Sequence, residues 1–198
     1  MPLDIPRARQ HLHNFDLIRV FIEVLGWDRH TGALEVLVDG QSFSLDAVAQ
    51  KRGLAVYRCA GQIPDYPTRR KIEKQVAKSV HEHLIIYTDG GKSTQIWQWV
   101  KRQTGKPTAC REHWYNRNQS GDALLQKLQS IVFSLEEEEK LTIVDVTSRA
   151  RAAFDVERVT KRFYDEFRKQ HAAFLKFITG IPVKEDQEYV DAIVEGVH

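Results

Sequence analysis

Between residues 34 and 59 the chain alternates apolar and polar side chains in three short runs separated by two tight-turn signals. The runs are Leu34–Val38, Ser42–Ala49 and Leu54–Cys59, and the turns are Asp39-Gly40 and Lys51-Arg52-Gly53. Alternation with a period of two places every second side chain on one face of a strand, and Asp-Gly between two such runs favours a tight hairpin. The pattern predicts a three-stranded antiparallel meander, which constrains how the rest of the chain can pack.

Helical and strand-like segments flank this meander on both sides. Apolar residues at three- and four-residue spacings predict a helix over Phe15–Leu25, with Asn14 as its N-cap. A basic helix is predicted from Arg69 to about Glu82, with Thr68 as its cap. Three strands are predicted after it, over His83–Thr88, Gln95–Lys101 and Thr108–Tyr115. The order of elements indicates an α/β fold with a mixed sheet and flanking helices.

The remaining sequence is helical in pattern. Ser120 caps a predicted helix that ends at Phe133, Ser134 and Glu137 have the spacing of a capping box, and Asp155 caps a long helix to about Thr179. Residues 1–13 contain two prolines and no periodicity, which predicts a loose arm. We therefore expect an arm over 1–13, an α/β domain over 14–118 and a helical extension over 119–198.

Composition excludes several classes of protein. With 42% hydrophobic and 28% charged residues among 198, the chain is neither disordered nor fibrous. It contains no apolar run long enough to span a membrane, and its start lacks the apolar stretch of a secretory signal. Its two cysteines, Cys59 and Cys110, are far apart, which predicts neither a disulfide framework nor a zinc knuckle and favours the cytoplasm.

Positive charge is concentrated in the middle of the chain. Residues 51–117 carry 14 Lys and Arg against five Asp and Glu, whereas the segments on either side are net acidic. A concentrated basic region indicates a polyanionic partner such as DNA. The expected phosphate contacts come from the basic helix and from a second group near the strand ends: Arg69, Arg70, Lys71, Lys74, Lys78, Lys101, Arg102 and Arg111. Trp97 and Trp99 share one side of a strand, where they belong to the core or stack on unpaired bases.

One carboxylate has the placement expected of a metal-dependent nuclease. Asp46 lies on the second strand of the meander, and Glu23 on the preceding helix supplies a second carboxylate. Such a site needs an acid and a lysine two residues apart on the next strand, so that Mg²⁺ activates water and stabilises charge on the phosphate. Residues 57–60 are Tyr-Arg-Cys-Ala, which lack both groups. Asp46 is then either a metal ligand of a degenerate site or an ordinary hydrogen-bonding strand residue.

Several segments, taken in order and spacing, resemble the N-terminal region of large bacterial restriction-modification proteins of the type IIG kind, which fuse a nuclease-like domain to an adenine DNA methyltransferase. The segments are VAQKRGLAVYRC, RRKIEKQVAKSVHEHLIIYTD, QIWQWVKR, REHWYNRNQSGDALLQKL, FSLEEEEKLTIVDVT and AAFDVERVTKRFYDEFRKQHAAFLKFITGI. The resemblance covers residues 14–182 and implies a restriction-endonuclease-like, PD-(D/E)xK-like fold and a role in phage defence. Only Asp46 matches the nuclease residues of the family. No N-P-P-Y or D-P-P-Y motif follows, so we expect an excised domain or a natural truncation.

These observations lead to one principal hypothesis and two alternatives. The principal one is a DNA-binding, nuclease-like domain whose cleavage activity is weak or lost. The first alternative is an active Mg²⁺-dependent endonuclease that uses Asp46, Glu23 and an unconventional third ligand. The second is a non-enzymatic module whose C-terminal helices dock a DNA methyltransferase. None of the three involves a membrane.

Overall fold

The computed structural model describes residues 3–103, 106–155, 166–171 and 174. Residues 1–156 form one compact unit and residues 157–198 another, which differs from the predicted division at residue 118. The first unit is α/β and contains all the elements discussed below. The helix predicted over Asp155–Thr179 falls mostly outside the described residues, of which 166–171 and 174 are helical. Asp155 itself is the C-cap of the helix before it.

The described strands form one mixed sheet of seven, and helices lie on both of its faces. The strands are β1 (Asp28–Arg29), β2 (Ala33–Val38), β3 (Gln41–Lys51), β4 (Leu54–Gly61), β5 (His83–Asp89), β6 (Thr94–Gln103) and β7 (Lys106–Asn116). The helices are α1 (Ile5–His13), α2 (Leu17–Arg19), a π-helical turn (Val20–Val24), α3 (Tyr66–Ser79), α4 (Asp122–Gln129), α5 (Leu135–Glu138) and α6 (Ile143–Phe154).

The predicted meander is confirmed. β2 pairs with β3 and β3 with β4, both antiparallel, and left-handed backbone at Asp39-Gly40 and Arg52-Gly53 makes the two turns. Helix α3 then crosses over so that β5 lies parallel to β4, and β5, β6 and β7 form a second antiparallel meander. The strand order is β1-β3-β4-β5-β6-β7, with β2 on the same edge of β3 as β1.

Each face of the sheet has its own hydrophobic cluster. On one face, Trp97 and Trp99 of β6 stack against Phe154 of α6, and Trp97 also stacks against Phe21 of the π-helical turn. On the other face, Ile72 and Val76 of α3 pack against strand residues that include Val36, Leu45, Ile85 and Ile96. Both tryptophans are therefore core residues. Because helices cover both faces, central strand β5 is buried along almost its whole length, as its continuous apolar run predicts.

The N-terminal segment differs from the predicted loose arm. Asp4 caps helix α1, its carboxylate accepts a hydrogen bond from the Arg7 amide, and Ala8 and Leu12 are buried in the core. Pro6 lies in the first turn of the helix, where a missing amide proton costs nothing. The following helix begins at Leu17 with Asp16 as its cap, because Phe15 has a left-handed backbone that breaks the chain's helical path.

Two further helix starts differ from the predicted ones. Asp65, rather than Thr68, caps α3 and accepts the Thr68 amide, so the helix begins at Tyr66. Gly121 precedes α4 in place of Ser120. The capping box at Ser134 and Glu137 is confirmed. Within the described residues, no helix has both the length and the apolar character needed to cross a bilayer.

Candidate nucleic-acid interface

Asp46 lies on the face of the sheet that α2 covers, directly opposite Arg58 of β4. The Arg58 guanidinium donates to the Asp46 carboxylate at 2.7 Å, and both side chains are partly exposed. Because strand side chains alternate, positions 56, 58 and 60 of β4 lie on the Asp46 face. Of residues 57–60, where the acid and the lysine are missing, Arg58 and Ala60 therefore share the face of Asp46, and neither is a carboxylate or a lysine. The ion pair occupies the carboxylate that a metal would need.

Glu23 does not complete a site with Asp46. Its carboxylate pairs with Arg7 of α1 and with Arg19, one helical turn earlier. Another acidic residue, Asp16, lines a small cavity of about 70 Å³ together with Asp46 and Arg58. Among the described residues, no group of three or more His, Cys, Asp or Glu side chains could hold a metal ion. Asp16 was not predicted as a site residue, because the only pattern around it in the sequence is that of a helix cap.

The prediction that Arg69 contacts phosphate requires a correction, because the Arg69 side chain is buried and not available to phosphate. It is 4% exposed and makes a two-point ion pair with Glu112 of β7, with Nε–Oε1 at 2.9 Å and Nη2–Oε2 at 2.7 Å. Its position three residues before Ile72 places it on the buried stripe of α3. Arg69 therefore joins α3 to β7 and is a structural residue.

The second predicted cationic cluster is largely neutralised. Arg102 donates to the buried Glu73 carboxylate at 2.6 Å, and Arg111 lies 3.2 Å from Asp155. Both guanidinium groups are mostly shielded from solvent. The side chain of Lys101 lies outside the described part of the chain. These residues therefore supply less free positive charge than the sequence suggests.

Three cations of α3, Arg70, Lys74 and Lys78, form one ridge that begins beside Tyr66. Arg70 is half-buried and donates to the Thr108 carbonyl at 3.3 Å. Tyr66, Arg70, Lys74 and Lys78 follow one another at intervals of four residues, which places them on neighbouring turns about 6 Å apart along the axis. Lys74 and Lys78 are exposed, and within the described residues neither ammonium lies within ion-pair distance of a carboxylate. Lys71, beside the ridge, is exposed and pairs with Asp39 at 2.6 Å. An exposed pair of this kind is weak and yields readily to a phosphate.

An open pocket lies where the ridge begins. It occupies about 890 Å³ at the C-terminal ends of the parallel strands β4 and β5, and Gly61 and Gly90 are among the residues that line it. Two aromatic rings line it, Tyr66 at 44% exposure and Trp114 at 53% exposure. The centre of the buried Arg69 guanidinium lies 5.8 Å from the Tyr66 ring centroid and 5.7 Å from that of Trp114. Crevices outside the C-terminal ends of parallel strands are common ligand sites.

Three further ionisable groups are buried near the other end of α3. His83 is fully buried, its Nδ1 lies 2.7 Å from the Val80 carbonyl, and burial lowers its pKa to about 4. Its Nε2 lies 3.8 Å from the Glu73 carboxylate, whose pKa burial raises. Burial also raises the pKa of Cys110 to about 11. An uncharged imidazole and a protonated thiol here are consistent with a packed interior.

The chain matches no protein-family model, and it has no significant match among the curated proteins or the solved structures with which it was compared.

Proposed function

We propose that this chain is a DNA-binding, nuclease-like domain of a bacterial restriction-modification system, and that its cleavage centre is degenerate. The observation that carries the proposal is the ridge of Arg70, Lys74 and Lys78 on α3, with Lys71 beside it. Cations at helical spacing attract phosphates independently of sequence and release counterions from DNA.

The chain topology supports the nuclease-like part of the proposal. A helix precedes a three-stranded meander, a second helix crosses over, and the next strand lies parallel to the last strand of the meander. Asp46 is on the middle strand of that meander, where the restriction-endonuclease-like pattern has its aspartate. The Arg58 ion pair and the absence of an acid and a lysine at residues 57–60 account for a loss of cleavage, since Mg²⁺ binding at such a centre relies on acidic oxygen ligands. For the same reason, the active Mg²⁺-dependent endonuclease is the weaker candidate.

The test is the salt dependence of binding to a short duplex, measured by fluorescence anisotropy. We expect affinity to fall steeply as salt rises. We expect the triple variant Arg70→Ala, Lys74→Ala, Lys78→Ala to bind more weakly to every sequence. Its salt slope should be smaller by about one for each phosphate that the variant no longer neutralises.

A matched control removes the same charge from elsewhere. Arg29, Lys140 and Arg151 are exposed and lie on β1, after α5 and on α6, away from α3. Their triple alanine variant should retain both the affinity and the salt slope. If the ridge variant and this control bind equally well, the proposal fails.

The docking-module alternative also has an observation in its favour. Leu135, Ile143 and Val144 are large apolar side chains that α5 and α6 leave exposed, at 85%, 42% and 66%. A docked protein would cover exposed apolar side chains of this kind. If the duplex assay shows no binding, while serine substitutions at Leu135 and Val144 abolish association with a DNA methyltransferase, the docking function would replace DNA binding.

A further inference from the structure

We propose that the pocket between Tyr66 and Trp114 receives an unpaired base of single-stranded DNA, whose backbone then follows the ridge Arg70, Lys74 and Lys78. This inference rests on the proposed DNA-binding function and deepens it, because it names the form of DNA that the site takes. Three observations support this inference: the exposed rings of Tyr66 and Trp114, the charge of the pocket, and the position of the pocket at one end of the ridge.

The two rings are exposed although the chain has a core that could bury them. The chain has four tryptophans, and Trp27, Trp97 and Trp99 are at most 3% exposed, whereas Trp114 is 53% exposed. The buried Arg69 guanidinium lies against Trp114 and Tyr66 and is fixed in place by Glu112. Rings supported in this way present a fixed flat surface, and every nucleobase has a face that can stack on an aromatic ring.

The charge of the pocket excludes phosphate as its occupant. The Arg69 cation is neutralised by Glu112, and the carboxylates of Asp65 and Asp89 lie on the wall. The Asp89 oxygens accept hydrogen bonds from Ser93 and Thr94, and Asp65 accepts one from the Thr68 amide. A neutral base with amino donors suits such a pocket, whereas an anion does not.

The ridge supplies the positive charge for phosphate that the pocket lacks. Tyr66 both lines the pocket and begins the ridge, and Arg70, Lys74 and Lys78 continue it in steps of about 6 Å. This repeat is comparable to the phosphate spacing of an extended nucleic-acid strand. A base held at Tyr66 therefore places the next phosphates of the same strand beside successive cations. A paired base in an intact duplex cannot enter the pocket, so the strand must be unpaired at that point.

The experiment titrates the full chain with oligo(dT) and with a fully paired duplex, following both tryptophan fluorescence and anisotropy. Because Trp114 is the exposed tryptophan, its stacking should quench fluorescence with oligo(dT). Trp114→Ala and Tyr66→Ala should each weaken oligo(dT) binding about tenfold and leave duplex binding unchanged. Trp114→Phe should retain most of the affinity but lose the quenching. Leu37→Ala, which removes an exposed apolar side chain from β2, is the control and should behave as wild type.

The outcomes separate this inference from the proposed function. If wild type binds duplex in a salt-dependent manner but both ring variants bind oligo(dT) as wild type does, the inference is overturned and the proposed function stands. If wild type binds neither DNA, both are overturned. If an oligoproline peptide quenches Trp114 and oligo(dT) does not, the pocket belongs to a protein partner and the inference is again overturned. Thermal melting of each variant establishes that it is folded.

Discussion

Asp46 on β3 and Arg58 on β4 are cross-strand partners, and the Arg58 Nη2 lies 2.7 Å from the Asp46 Oδ2. The residue that faces Asp46 across the two strands is thus the cation Arg58. Because a guanidinium both satisfies the carboxylate and repels a divalent ion, the pair determines how this centre responds to metal.

The first prediction concerns metal binding at this centre. We expect wild type to nick plasmid no faster than background with Mg²⁺ or Mn²⁺, and to show no heat of binding for either ion in calorimetry. Arg58→Ala should bind Mn²⁺ weakly, because it frees the Asp46 carboxylate in a small cavity that Asp16 also lines. Arg58→Lys retains the charge and should match wild type. Both side chains of the pair are partly exposed, so these variants should lose less than about 1 kcal/mol of stability.

Plasmid nicking by the wild-type protein would contradict this prediction. If wild type nicks plasmid and Asp46→Ala abolishes the activity, the ion pair does not close the site. The missing ligand would then be sought at Asp16 before Glu23, since Asp16 shares the small cavity with Asp46.

The second prediction concerns the buried ion pair between Arg69 and Glu112. Arg69→Met leaves the Glu112 carboxylate without its cation in a site that is 10% exposed, so we expect the free energy of unfolding to fall by about 3–5 kcal/mol. Urea denaturation measures this change. Lys71→Met breaks an exposed pair on the same helix and should cost less than about 1 kcal/mol.

A second variant tests the cause of that loss. Glu112→Gln, added to Arg69→Met, removes the uncompensated charge and retains an acceptor for Gln98, which donates to Glu112 at 3.0 Å. The double variant should recover part of the lost stability. Equal stability of the single and double variants would show that packing, and not charge, dominates.

The third prediction is a dependence of stability on pH. The folded state holds His83 neutral with a pKa of about 4, whereas the unfolded state takes up a proton near pH 6.5. Between these values the unfolded state binds more protons, so the free energy of unfolding should fall as the pH drops from 6.5 to 4, by up to about 3 kcal/mol. Chemical denaturation at several pH values measures the slope.

The titration of Glu73 changes the free energy of unfolding in the opposite direction, so the experiment must separate its contribution from that of His83. Burial raises the pKa of Glu73, so its contribution favours the folded state at low pH and diminishes as the pH rises above its usual value near 4.5. The difference in pH dependence between wild type and His83→Gln isolates the contribution of the histidine. If both proteins lose stability equally between pH 6.5 and 5.5, His83 is not the source.

The fourth prediction concerns where the folding unit ends. Phe154 of α6 stacks against both Trp97 and Trp99, and Leu124, Leu125 and Leu128 of α4 belong to the same core. A fragment of residues 1–118 exposes this face and should be unfolded or aggregated by circular dichroism and size-exclusion chromatography. A fragment of residues 1–156 should fold. In the full chain, Phe154→Ala should cost about 3–5 kcal/mol.

The sequence predicts the sheet better than it predicts the site. The turns at Asp39-Gly40 and Arg52-Gly53 are local signals, since only a few residue types accept a left-handed backbone, and they place the meander correctly. Helix α1 was missed because two prolines suggested a break, although Pro6 lies in the first turn, where proline is tolerated.

Site residues depend on partners that are distant in the sequence. The phase of α3 already places Arg69 beside Ile72 and Val76, so its burial could have been predicted from the helix alone. Its partner Glu112 could not, because the pair forms only when β7 takes its place in the sheet. The exposure of Trp114 likewise depends on how α3 lies over β7, since Trp114 shares its side of the strand with Glu112, the partner of Arg69. Short-range patterns contain no information on either relationship.

The parallel pairing between β4 and β5 has a consequence for the rate of folding. Each of the two meanders is built from hairpins that close short loops, whereas β4 and β5 meet only after α3 has formed, in a register that joins Ala55 to His83 and Gly61 to Asp89. Closing that longer loop costs chain entropy before the two strands can pair. The two halves should therefore acquire their hairpins early and join late, with the docking of α3 as the slow step.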